Sequence, residues 1–358
     1  MAFSDFVGLS VGSTALEIGV SNIILSKMIQ EQIYRDRIGI TEVYSNNASQ
    51  GGAVLRVPKI VASTGSFRQL GATTNGGFFN STASQIKGLD EVLLVCANIY
   101  DQMEDVPQAQ HVLSLGGASA LNMRAIEIAK AITRQMNAGT MAYQIAEVLN
   151  AVITASGTET DRIFTYDPTK FGTDASSAWS KFQDACASLD NGDTYNDVFP
   201  TTGRLAILRP SAVTDLRKNG NIIVGGSNFA QEMIKSGAVD PDTVLPDVPG
   251  YRGMVNDVAI IQASNALWTL AESWMQQSAG YLDNLVGIIC AYNATGRGHA
   301  FPESTKVIDS PDGQGLRIQP LSNFGVKVFF EKGIKLLAKA TFVEGATAIT
   351  VVAPGSQE

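Results

Sequence analysis

The most regular hydrophobic pattern in this chain lies near its middle. Leu121, Ala125, Ile128, Ile132 and Met136 recur at spacings of four and three, while Arg124, Glu127, Lys130 and Arg134 occupy the opposite face. That period predicts an amphipathic helix over Ala118–Asn137, preceded by Gly116-Gly117 and ended by Gly139. A second helix is predicted over Ala142–Val152, with Ile145, Leu149 and Val152 on one stripe and a stop near Ser156-Gly157. A shorter one over Ala175–Leu189 runs into the turn Asp190-Asn191-Gly192-Asp193. Leu16–Ile38 reads as an N-terminal arm with some helix, its apolar positions being Ile23, Ile24, Met28 and Ile33, ahead of the charged cluster Arg35-Asp36-Arg37.

Between Val43 and Leu89 this texture gives way to small and polar residues. Asn46, Asn47, Ser49, Gly51 and Gly52 open the segment, Thr73-Thr74-Asn75-Gly76-Gly77 marks its middle and Gly88 closes it. Val54–Val61 and Leu89–Ile99 are strand-like, and the Asn75-Gly76-Gly77 region is placed to turn the chain between them. The result is a long two-stranded arm. Such an arm buries little surface alone and is marginal in water, so it is expected to lie on a neighbour.

From Gly203 onward short strands and helices alternate. Arg204–Leu208 is an apolar strand, Arg209-Pro210 opens a helix with proline in its first turn, and Asn219-Gly220 closes it. The loop Val239–Gly250 holds three prolines. Val255–Ser264 reads as a strand with Val258 and Ile260 on one face and Ala259 and Ile261 on the other, so both faces are expected to be buried. Leu316–Val352 reads as several strands broken by Gly325, Gly333 and Gly345. There is no internal repeat and no low-complexity tract.

At 358 residues the chain exceeds the usual single hydrophobic core and has room for two or three packed units. It is 45% hydrophobic and only 17% charged, which is low for a freely exposed monomer; surface buried between copies would account for it. The net charge is -8, and Lys and Arg are scattered singly, with no basic run to neutralise successive phosphates. Sequence-specific nucleic-acid binding is therefore not expected, although an acidic wall is compatible with enclosing DNA. Cys96, Cys186 and Cys290 are odd in number and set among apolar neighbours such as Val95 and Ile289, the pattern of reduced core residues in a protein made in a cytoplasm. Met1–Ser10 has neither a basic flank nor a long apolar stretch, so no signal peptide is expected. Apolar runs such as Val286–Ala291 fall far short of the ~18 residues that span a bilayer, and no membrane partner is expected.

Candidate chemistry is sparse. His111 and His299 are the two histidines, and neither has a cysteine, histidine or paired carboxylate at metal-ligand spacing. Gly-x-Ser-x-Gly is absent, as are the phosphate-loop and dinucleotide glycine patterns, so Gly116-Gly117 and Gly225-Gly226-Ser227 read as a joint and a loop rather than as phosphate cradles. Asp240, Asp242 and Asp247 could offer oxygen ligands but do not fit a calcium loop. Trp268 and Trp274 read as packing residues, against the core or a neighbour. No catalytic, cofactor-binding or metal residue is assigned.

One stretch carries a resemblance. The succession Gly203-Arg204-Leu205-Ala206-Ile207-Leu208-Arg209-Pro210 leads into a helix ending Leu216-Arg217-Lys218-Asn219-Gly220, and after a glycine-rich loop Gly250-Tyr251-Arg252-Gly253 leads into Val258-Ala259-Ile260-Ile261-Gln262-Ala263-Ser264-Asn265. In order and spacing this resembles the axial domain of tailed-bacteriophage major capsid proteins, a Hong Kong-type fold shared with encapsulins. The resemblance implies an α+β fold laid out as an N-terminal arm (1–42), an extended β-hairpin loop (43–88), a peripheral domain with a long spine helix (89–200), an axial domain (201–300) and C-terminal strands returning to the peripheral domain (301–358). It also implies a non-enzymatic subunit that assembles with itself, in hexamers and pentamers, into an icosahedral shell enclosing double-stranded DNA, made in a host cytoplasm and ending in the virion. Separate scaffold and portal proteins, and a decoration protein, are the partners implied. Some relatives crosslink through a loop lysine; Lys59 and Lys87 lie in the matching loop, but no partner asparagine or promoting acid can be matched, and that chemistry is not carried over. Two alternatives stay open: an encapsulin-like compartment storing a cargo enzyme, and a metal-dependent enzyme built on Asp240 and Asp242.

Overall fold

The computed structural model describes residues 14–44, 54–59, 90–107, 118–154, 161–171, 173–192, 199–219, 248–278, 280–300, 303–309, 315–340 and 348–354. Helix α1 (Thr14–Glu31) is followed by the short β1 (Arg35–Asp36), β2 (Gly39–Tyr44), β3 (Val54–Lys59), β4 (Asp90–Val95), β5 (Asn98–Tyr100) and β6 (Glu104–Pro107). Helix α2 (Ala118–Thr154) and β7 (Ile163–Tyr166) come next, then α3 (Ala178–Asp190), β8 (Arg204–Leu208), α4 (Pro210–Asn219), β9 (Tyr251–Val255) and β10 (Val258–Gln262). The chain continues through α5 (Asn265–Trp274), β11 (Leu285–Cys290), β12 (Thr295–His299), β13 (Ser304–Asp309), β14 (Gly315–Val328) and β15 (Ile334–Lys339).

The two helices expected on either side of Gly139 are one helix of 37 residues. Their apolar stripes share a phase: Leu121, Ala125, Ile132 and Met136 continue through Met141, Ile145, Leu149 and Val152, all buried. Gly139 is not a stop but a point of close approach. A Cβ there would lie 3.0 Å from Phe324 Cζ and 3.2 Å from Trp274 Cη2, so the residue that weakens the helix locally, by about 1 kcal/mol relative to alanine, admits two aromatic rings against its backbone. Buried Thr133 and Thr140 turn their hydroxyls back onto the carbonyls of Ala129 and Met136, each at 2.8 Å, and so need no outside partner.

Around this helix lie two mixed sheets. In the first, β1-β2-β12-β14-β13 run side by side, with β5 and β6 also paired to β14. In the second the order is β7-β15-β11-β8-β10-β9. Both faces of the second sheet are covered, as expected. Leu205 and Ile207 of β8, with Ala259 and Ile261 of β10, face the core built on α2. Ala206, Leu208, Val258 and Ile260 face a second core closed by Phe182 and Cys186 of α3 and by Ala212, Val213 and Leu216 of α4. Residues 301–358 divide between the sheets, β13 and β14 joining the first and β15 the second.

Four local expectations are corrected. Val255–Ser264 is not one strand: Val255 pairs with Val258 across a two-residue turn at Asn256 and Asp257, whose φ values of 50° and 60° are ones that these short polar side chains tolerate. Gly325 does not break β14, which runs 14 residues through it; a Cβ there would sit 2.1 Å from the carbonyl oxygen of Val95, so glycine lets a crossing backbone approach. Helix α3 starts at Ala178 rather than Ala175, because Asp174 makes a turn with Ser176 and Ser177 caps the helix by accepting from Ser180 N. Past residue 347 the chain forms no strand over 348–354. It straps α2 instead, Asn150 exchanging two hydrogen bonds with the Ile349 backbone at 2.7 and 2.9 Å. Gly345 and the Asn75-Gly76-Gly77 turn lie outside the described residues.

Candidate assembly surface

Of the arm read from the sequence between Val54 and Ile99, the described residues form a two-stranded sheet of their own, with β3 and β4 paired antiparallel from Val54↔Val95 to Lys59↔Asp90. Its root is anchored by Leu55, Leu94 and Cys96, which bury themselves with Val43 of β2 and Ala300. Beyond the root a period of two appears in burial: Leu94 and Cys96 face inward, while Leu93, Val95, Ala97 and Ile99 are exposed. Leu93, Val95 and Ile99 keep 56%, 53% and 59% of their surface in water. Ile99 stands opposite Asn323 in β14, and Leu321, two residues along the same face, is exposed as well. The outward face of this ribbon is thus apolar from β4 into β5. Covering each half-exposed side chain would stabilise a complex by about 1 kcal/mol. A row of this kind on a hairpin held only along its inner face is the mark of a surface made for another molecule.

The other described residues offer little for chemistry. Among the described residues no group of three or more His, Cys, Asp or Glu could hold a metal ion. A polar recess of about 100 Å³ between α1 and α2, lined by Glu31, Lys130, Thr133, Arg134 and Asn137, is well below the roughly 300–1,000 Å³ of a usual ligand site. Burial pushes the Cys96 thiol up to about 11 and the Cys186 and Cys290 thiols up to about 12, so none is a thiolate near neutrality. All three are free and buried. His299 lies in β12 with Nδ1 2.9 Å from the Asn323 carbonyl oxygen, and burial, then the Arg297 charge, drives its pKa down to about 4. It is neutral at pH 7 and poorly placed for proton transfer.

Trp268 and Trp274 are core residues. Arg209, the arginine of the Arg-Pro step, lies 4.9 Å over the Trp268 ring and donates to the carbonyls of Leu282 and Leu285, both at 3.0 Å. Glu272 stands 4.0 Å from it and accepts from Leu282 N at 2.8 Å, so this pair fastens the turn before β11 to the start of α4. The resemblance drew on Arg209 without a reason; its role here is architectural. Lys59 ends β3. His111, Gly116-Gly117, Gly225-Gly226-Ser227, Asp240, Asp242, Asp247 and Lys87 lie outside the described residues.

Two features escaped the sequence reading. The exposed row was hidden because Leu93-Leu94-Val95 is a continuous apolar run, in which alternation cannot be seen. The other is a buried ion pair between Arg297 of β12 and Glu42 of β2, neighbours in the parallel register. Thr-Gly-Arg-Gly-His gives no hint that its arginine is fully buried.

No family model matches the sequence. No curated protein matches it either. Solved structures do. The capsid of Ralstonia phage GP4 aligns with a TM-score of 0.53 at 10% identity, covering 87% of this chain and 92% of that one. A Microbacterium phage Oxtober96 structure aligns with a TM-score of 0.51 at 10% identity, over 86% and 93%. A virus-like particle from Pyrococcus furiosus aligns over 89% and 97% at 10% identity, but its TM-score of 0.46 carries no weight between kinds of shell. Matched over nearly the whole length of such a subunit, this α+β chain has the fold of phage capsid proteins.

Proposed function

We propose that the chain is a major capsid protein, many copies of which tile an icosahedral shell around the double-stranded DNA of a tailed phage. The observation that carries this is the hairpin with one bare apolar face: a surface that needs a partner. Copies of the same chain are the economical partner, since a repeated lattice gives each hairpin an identical neighbour to cover it. In this reading the chain has no catalytic role. The unit built on the second sheet, centred on residues 201–300, gathers near the symmetry axes, and residues 1–42 and 43–88 reach toward neighbours. Scaffold, portal and decoration proteins act as separate partners, and assembly takes place in the host cytoplasm before release in virions.

Electron microscopy of the purified full chain, expressed alone and with a candidate scaffold protein, tests the proposal. Closed shells with a regular lattice support it; a strictly monomeric protein at high concentration in both preparations refutes it. The contents of the particles then separate a phage shell from a cargo compartment: nuclease-protected DNA marks the first, a co-purifying enzyme the second. Denaturing electrophoresis of particles gives a single band if subunits are not crosslinked, and a ladder if Lys59 or Lys87 forms isopeptide bonds.

A further inference from the structure

The buried pair Glu42–Arg297 sits in an unusual place. Strand β2 lies against both the hairpin root and β12, and β4 of the hairpin also meets β12 and β14 directly, at Gly298 and Gly325. On one of its faces Val43 seals the apolar root of the hairpin with Leu55, Leu94, Cys96 and Ala300. On the other, Glu42 meets Arg297, whose guanidinium also donates to the Tyr34 carbonyl at 3.3 Å. Gly298 of β12, between Arg297 and His299, faces the hairpin side so closely that a Cβ would lie 2.6 Å from Leu94 and 2.7 Å from Leu55. Whatever holds β2 against β12 therefore also keeps Val43 seated over one side of the hairpin root.

The holding group is charged and incompletely matched. Arg297 is fully buried, yet its Nε and Nη1 have no hydrogen-bond partner among the described residues. His299 stands two residues on, along the same face of β12, and Glu303 follows, accepting from Ser322 Oγ at 3.3 Å. The remaining titratable groups near the pocket are neutral in the working range. Tyr34 donates to Gln144 at 2.6 Å and is kept protonated by burial; Cys290 lies beyond it in β11, and Cys96 on the opposite face of β12. At neutral pH the Arg297 charge is set against Glu42 and Glu303, with a neutral imidazole beside them. A proton on His299 places a second positive charge next to a guanidinium that already lacks partners, and a proton on Glu42 removes its counter-charge.

We infer that Glu42, Arg297, His299 and Glu303 form an acid-sensitive latch that clamps β2 onto β12 and thereby fixes the hairpin, so that acidification frees β2 and the hairpin root together while the two cores stay closed. The depressed pKa of His299 sets the window. Opened and unperturbed, the imidazole titrates near 6.5; closed, near 4. Opening is thus favoured progressively as pH falls from about 6.5 towards 4, by about thirtyfold at pH 5. Glu303, whose carboxyl is raised by burial, works in the opposite sense, since the closed state binds its proton more readily than the open one. It opposes the opening that His299 drives. The latch is a property of the folded subunit and does not rest on the shell reading.

Hydrogen exchange by mass spectrometry on the full chain between pH 4 and 8, corrected for the intrinsic rate at each pH, reads it directly. Residues 39–44, 54–59 and 90–95 are expected to lose protection together below about pH 6, while 204–208 and 285–290 keep theirs. His299→Asn, which retains a donor for the Asn323 carbonyl, is expected to abolish the window. Glu42→Gln is expected to open the same segments already at pH 7. Protection of β2 and the hairpin that persists in the wild type to pH 4, or that vanishes only with the rest of the molecule, overturns the inference. So does an unchanged window in His299→Asn. Should either variant fail to fold, the wild-type profile still decides.

Discussion

Replacing Gly139 by alanine sets two effects of known size against each other. In an exposed helix the change would stabilise by about 1 kcal/mol, because alanine loses less backbone entropy than glycine. Here the new methyl would lie 3.0 and 3.2 Å from the Phe324 ring and 3.2 Å from the Trp274 ring, closer than ordinary van der Waals contact. The rings cannot swing away cheaply. They pack on each other with centroids 5.6 Å apart, and Trp274 Nε1 donates to Gln135 Oε1 at 2.9 Å. Overpacking of this kind costs about 1–3 kcal/mol. Gly139→Ala should therefore be neutral to destabilising by about 2 kcal/mol in the wild-type background. In a Phe324→Leu background the nearer obstacle is removed while the Trp274 ring stays, and the same change should be more favourable there than in the wild type by about 1 kcal/mol. Urea unfolding of the four proteins of this cycle, in subunit form, measures both numbers. A full gain of about 1 kcal/mol in the wild-type background would refute the packing role assigned to Gly139.

Three further outcomes follow from the structure. Leu93→Asp combined with Ile99→Asp should stop assembly while leaving circular dichroism and melting temperature close to wild type, since both side chains are more than half exposed; sedimentation velocity compares the two proteins. Arg209→Met should cost about 3 kcal/mol in urea unfolding, because it leaves the Leu282 and Leu285 carbonyls and buried Glu272 without their cation. For His299 the folded pKa of about 4 lies below the unfolded 6.5, so the folded state binds fewer protons between them. Its contribution is whole above pH 6.5 and falls by up to about 3 kcal/mol as pH drops to 4, a slope that His299→Asn should remove from the pH dependence of unfolding.

Much of the layout was legible because it rests on local periodicity. The stripe from Leu121 to Met136 placed the long helix, and the turn-rich tracts before Val54 and after Val61 placed the hairpin. Where the reading failed, a distant contact overrode a local preference. Gly139 and Gly325 look like breaks to any reader of neighbours alone, yet each is small because another part of the chain, the Phe324 and Trp274 rings or the Val95 carbonyl, comes close. Asn256-Asp257 escaped notice as a turn for the opposite reason: asparagine and aspartate reach positive φ without the glycine that usually announces it. The surface row and the Glu42–Arg297 pair were beyond a sequence reading altogether. Exposure of Leu93, Val95 and Ile99 depends on what the hairpin root packs against, and the pairing of β2 with β12 joins residues some 255 positions apart.

The measurement that bears most directly on the shell reading is electron microscopy of the full-length protein at high concentration, wild type beside Leu93→Asp/Ile99→Asp. Closed lattices of wild-type subunits enclosing nuclease-protected DNA, with none from the double variant, are the predicted result. Monomers from a folded wild-type protein, with and without scaffold, would contradict it.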